Sequence, residues 1–116
     1  MKRIKISKDG MTILKLMMNR SKTKLSDKIL CYILIKTQEH YNFVNSPRNI
    51  CGEKMEDLDI VKGEIRCVFG DYSRKTIFNA LKELEDENII IIKEGYHRGI
   101  HKPYIDRIEI NWDQFA

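Results

Sequence analysis

Two adjoining patterns dominate the chain, and they meet near residue 88. From Ser73 to Glu87, Ile77, Ala80, Leu81 and Leu84 recur at i, i+3, i+4 and i+7, the core stripe of an amphipathic helix. At about 100° per residue the opposite face carries Lys75, Asn79 and Lys82, with Arg74 and Phe78 on its flanks and Thr76 toward the preceding turn. Ser73 is placed to cap the helix, because a serine oxygen can accept one of the first backbone N–H groups. Asn88 is placed to end it, because asparagine tolerates the left-handed conformation of that position. Four isoleucines follow at 89–92, a β-branched run that predicts a buried strand over 89–95. A second strand is predicted over 104–110, where Tyr104, Asp106, Ile108 and Ile110 alternate with Ile105, Arg107 and Glu109. Ile105 and Asp106 fit that alternation poorly, so the register of the hairpin stays open.

Upstream the signals are less regular. Residues 1–8 alternate loosely and predict a short strand, KDG at 8–10 reads as a turn, and the apolar stretch 11–19 is too short to classify. LSDKILCYILIKTQEHY (25–41) predicts a helix with Ser26 as N-cap and Asp27 in its first turn. Apolar residues lie on most of its sides, as on a central core helix. Pro47 marks a loop over 42–49. The stretch 55–69 suggests a helix with Ile60, Ile65, Val68 and Phe69 on one face, although Gly63 weakens it. The tripeptide GDY then separates that element from Ser73. A short helix, a tight turn and a capped second helix form a helix-turn-helix layout. The tip between the two strands, YHRGIHKP (96–103), holds His97, Arg98, His101 and Lys102. The predicted fold class is therefore α+β, a mostly helical winged helix-turn-helix with a C-terminal β-hairpin wing. Its expected division is a basic arm over 1–24 and the winged domain over 25–116.

Charge adds a direction to this picture. The net charge is only +4, but residues 1–24 hold eight Lys or Arg against Asp9 alone, a net of +7, which leaves −3 for the remainder. A basic arm on a near-neutral body suits an anionic partner such as nucleic acid; an AT-rich coding sequence would produce the same bias. A helix fits the DNA major groove with its N-terminal turns toward base edges, where Lys and Arg meet phosphate or guanine and Asn pairs with adenine. Wing cations would lie over the adjacent backbone or minor groove. The candidate DNA-binding residues are thus Ser73, Arg74, Lys75, Thr76, Phe78, Asn79 and Lys82 on the helix, and His97, Arg98, His101 and Lys102 on the wing. If single strands are the ligand, Tyr96 and Tyr104 are available for stacking.

Other chemistries find little footing. The chain has no GxxxxGK[ST], HExxH or GxSxG pattern, so an enzyme is not expected. Three cysteines, Cys31, Cys51 and Cys67, show no CxxC spacing, which argues against a disulfide framework. Cys31 and Cys67 read as small core residues. His97 and His101 lie four apart without a second close ligand pair, so neither a metal nor a cofactor is expected. The longest apolar runs, 29–35 and 89–92, are far too short to span a bilayer, and no apolar segment follows the N-terminal charges. A cytoplasmic protein is expected.

SRKTIFNALKELEDENIIIIKEG, followed by GIHKPYIDRIEI, resembles the winged helix-turn-helix modules of replication initiators and replisome organisers from plasmids and phages of Gram-positive bacteria. Their pattern is roughly S-R-K-x-x-x-x-x-L-K-x-L-E, a short break, a strand, a Gly…Lys-Pro wing and a returning strand. The matching positions are Ser73, Arg74, Lys75, Leu81, Lys82, Leu84, Glu85, Gly99, Lys102 and Pro103, and the resemblance covers residues 25–112. It departs at Asn88, where such modules have Gly, and in the further domains that they carry after the module. The resemblance implies a DNA-binding accessory or initiator in the replication of a mobile element, working beside a polymerase, primase or helicase. The expected partners are DNA, with strand preference open, and a replication protein; a homodimer is allowed. A transcriptional regulator of the same fold and a winged helix used only for protein docking are the alternatives. Apolar residues within 11–18, or Trp112 and Phe115, would serve docking if exposed; otherwise the last two close the core.

Overall fold

The computed structural model describes residues 5–58, 60–97 and 104–115. Among them are four α-helices and a three-stranded antiparallel sheet, an α+β architecture. Residues 5–58 form one compact unit, and the described residues from 60 onward form another.

The first unit is a helical pair. Helix α1 spans Lys8–Asn19 and helix α2 spans Leu25–Val44. The expected strand over 1–8 does not occur within its described part: Ile6 gives its N–H to Gln38 Oε1 of α2 at 2.9 Å rather than to a sheet. KDG is the first turn of α1 rather than a reversal. Ser7 Oγ accepts the Gly10 N–H at 3.0 Å, and Asp9 supplies negative charge beside the exposed amides. Gly10 permits a close return of the chain, since a Cβ there would lie 3.0 Å from Ile6 Cγ2.

Helix α2 starts two residues earlier than Ser26 as N-cap would have set it. Lys24 holds the N-cap position, and Ser26 is a buried residue inside the first turn. The helix also runs past Tyr41 to Val44, because nothing in NFV breaks it before Asn45. Its apolar girth is used as expected: Ile29, Cys31, Tyr32, Ile33 and Ile35 are all buried. Gln38 is nearly inaccessible, and its amide is satisfied by Ile6 and by Asn42. After the helix, Asn49 stitches the loop, donating to the Val44 and Glu53 carbonyls and accepting the Glu53 N–H. A 3₁₀ turn at Met55–Asp57 follows, with the Asp57 carboxylate accepting the Lys54 N–H.

The second unit joins two helices to the sheet. Strand β1 (Ile60–Val61) leads directly into helix α3 (Lys62–Val68), then come α4 (Arg74–Asp86), β2 (Ile90–His97), β3 (Tyr104–Ile110) and a 3₁₀ turn at Trp112–Phe115. The sheet order is β1-β3-β2, with both pairings antiparallel. The expected single helical face over 55–69 is thus divided. Ile60 is buried on a strand opposite Ile108, Ile65 is buried on α3, Phe69 is buried as its C-cap, and Val68 is exposed. Gly63 is the second residue of the helix and does not interrupt it. Cys67, expected in the core, is exposed on α3.

Helix α4 follows its pattern closely. Ile77, Ala80, Leu81 and Leu84 are all buried. Ser73 Oγ accepts the Thr76 N–H at 3.2 Å. Asn88 has φ 61°, and its N–H reaches Glu85 O while that of Ile89 reaches Leu84 O. That pair of bonds is a Schellman closure, and it turns the chain straight into β2.

The isoleucine run, expected to form a buried strand, is buried on one side only. Ile90 is 2% exposed and Ile91 is 41% exposed, so β2 has one core face, as an antiparallel strand with one solvated side does. Ile90 pairs with Ile110 and Ile92 with Ile108. The register shifts between Lys93 and Tyr96, and this irregularity reconciles the two halves of the hairpin. Asp106 shares the alternation of Ile108 and Ile110, and its carboxylate lies 3.1 Å from Lys62 Nζ instead of facing an apolar neighbour.

Candidate nucleic-acid interface

The interface candidate is the outward side of α4 together with the hairpin that follows it. Burial of the Ile77–Leu84 stripe fixes which side of α4 faces water. Arg74, Lys75, Thr76, Asn79 and Lys82 are all exposed, and Phe78 is half-buried. Lys75, Asn79 and Lys82 stand at i, i+4 and i+7, one continuous row two turns long. No acid lies in the first turn of the helix. Glu83, Glu85, Asp86 and Glu87 are gathered at its far end. Charge therefore changes sign along the helix.

Ser73 is exposed as well. Its hydroxyl holds the Thr76 N–H and lies 2.7 Å from Thr76 Oγ1, so both side chains are tied to the helix start. Their observed role is capping.

Phe78 accounts for a residue that the sequence left unnoticed. The Arg74 guanidinium carbon lies 5.1 Å from the ring centroid, and Lys62 Nζ lies 5.4 Å from it. Lys62 is the first residue of α3, so the ring brings cations from two helices together. Lys62 drew no notice because its neighbours in space, Phe78 and Asp106, are 16 and 44 positions away. Its place immediately before a glycine suggested a break rather than a site.

The wing divides differently. Tyr96 and His97 fall within β2, which reaches two residues farther into the tip than expected, while β3 begins at Tyr104 as expected. Arg98, His101 and Lys102, with Gly99 and Pro103, lie outside the described residues, and the His97–His101 pair therefore does too. Among the described residues, no group of three or more His, Cys, Asp or Glu could hold a metal ion, and no helix is long and apolar enough to cross a membrane.

Below the tip the sheet carries a charged row. Arg107 Nε lies 3.3 Å from Glu109, and Lys93 Nζ lies 3.4 Å from the same carboxylate. These cations are balanced within the protein.

In the other unit, α1 leaves Ile13, Leu16 and Met17 exposed, while Met11, Leu14 and Met18 are half-buried. Apolar surface within 11–18 is thus present. Trp112 is half-buried.

No family model matches the chain, and neither a curated protein nor a solved structure does.

Proposed function

We propose that the protein is a DNA-binding winged helix-turn-helix protein, with α3 and α4 as the helix-turn-helix pair and the β2–β3 hairpin as the wing. The observation that carries this reading is the exposed row Lys75–Asn79–Lys82 on α4. It lies opposite a fully buried stripe, with Arg74 at its side and all the acids of the helix at its far end. A helix inserted into the major groove by its N-terminal end needs that arrangement: donors where bases and phosphates lie, and carboxylates turned away from the backbone. The element order helix, strand, helix, helix, strand, strand is in keeping with it, as is the short passage from Phe69 to Ser73.

The biological setting we infer is replication of a plasmid, phage or similar element, as an initiator or as an accessory to a polymerase, primase or helicase. The motif resemblance around α4 supports it. The apolar residues exposed on α1 favour work beside another protein over a purely DNA-bound role. We assign no catalytic step to the protein.

Lys75→Ala, Asn79→Ala and Arg98→Ala test the mode of binding. Each should weaken duplex binding by about 1–3 kcal/mol while leaving the thermal unfolding midpoint in place. Wild-type affinity in all three would refute it.

A further inference from the structure

The ring of Phe78 is unusual on a face otherwise made of polar side chains. It lies one turn after Arg74 on α4, where i and i+4 side chains meet. Arg74 stands over it at 5.1 Å and Lys62 at 5.4 Å. The two cations are held differently. Lys62 is also in an ion pair with Asp106 of β3 at 3.1 Å, so its charge is largely balanced. Among the described residues no carboxylate is paired with Arg74, which is held by the ring alone.

That difference decides what the ring does. A carboxylate partner would fix Arg74 by occupying its N–H donors and cancelling its charge. An aromatic face attracts the guanidinium through its quadrupole and leaves the donors outward. The side chain is ordered before any ligand arrives, so less rotamer freedom is lost on binding. Lys62, anchored to Asp106, packs against the same ring from α3 and helps to hold its orientation.

We propose that Phe78 is a positioning residue for nucleic-acid binding: it presets the Arg74 guanidinium to meet a backbone phosphate, and it does not itself stack on a base. This rests on the DNA-binding reading above.

The test is a double-mutant cycle on the full chain, read by fluorescence anisotropy with a labelled duplex across a salt series. The variants are Phe78→Leu, Phe78→Tyr, Arg74→Ala and the Arg74→Ala/Phe78→Leu pair, with thermal unfolding recorded for each. The tyrosine keeps an aromatic face and should bind as wild type does. The leucine should lose about three- to fivefold in affinity, the scale of an exposed cation–π contact. Its dependence on salt should become shallower, toward that of Arg74→Ala. In the Arg74→Ala background, Phe78→Leu should cost nothing further. Additive losses, or a leucine variant with full affinity, would overturn the proposal while leaving DNA binding intact. A wild-type protein that binds no duplex at low salt would overturn the DNA reading, and this proposal with it.

Discussion

Single residues settle several local choices in this chain. Asn88, at φ 61°, ends α4 and lets β2 begin two residues later. Glycine adopts that conformation without strain, whereas a side chain such as alanine resists it by about 1–2 kcal/mol. Asn88→Gly should therefore leave urea stability unchanged or slightly raised, and Asn88→Ala should lower it by about 1 kcal/mol. The Asn111 side chain also donates to the Asn88 carbonyl at 2.9 Å, so the same position ties the end of β3 to the helix terminus. The three cysteines differ in kind. Cys51 and Cys67 are exposed, while burial, with Asp27 nearby, pushes the Cys31 thiol above its ordinary value. Only the thiolate reacts, so a thiol reagent at pH 8 should label two cysteines quickly and Cys31 only on unfolding. Fast labelling of all three would show that α2 opens readily.

Among the elements, α4 is the best specified. Its apolar stripe has the right period, a serine closes one end and an asparagine the other. Leu81 is 1% exposed, and Leu81→Ala should cost about 2–5 kcal/mol in denaturant stability. Ser73→Ala should cost about 1 kcal/mol through loss of the cap alone. Equal small effects from both would mean that α4 is held by something other than its buried face. The same features explain why α4 and the hairpin were legible from sequence, and so was the exposed row on α4. The remaining elements were hidden for physical reasons. Strand β1 has two residues, too few for any alternation to register, and its pairing partner Ile108 lies far along the chain. Helix α3 has seven residues and a glycine at its second position. Helix α1 was masked because its glycine falls at the third helical position, where it resembles a turn. The Lys62–Phe78–Arg74 cluster depends on β1 and α3 being in place, so it could not be read before them.

At the scale of the whole molecule, the central claim is that a mildly basic chain contacts DNA through one helix inserted by its N-terminal end. Net charge argues only weakly for this, since +4 on 116 residues is modest. Placement argues more strongly, because the basic residues of α4 are segregated from its acids and from its buried stripe. The cations lower on the sheet, Lys93 and Arg107, are bound to Glu109 and so add little to an outward field. The decisive measurement is the affinity of wild type and Lys75→Ala for matched single- and double-stranded DNA across a salt series. The account predicts tighter binding to duplex, a marked fall in affinity with salt, and a salt slope smaller by about 1 in the variant if Lys75 meets a phosphate. Binding to neither strand at low salt, or binding indifferent to both salt and Lys75, would contradict it.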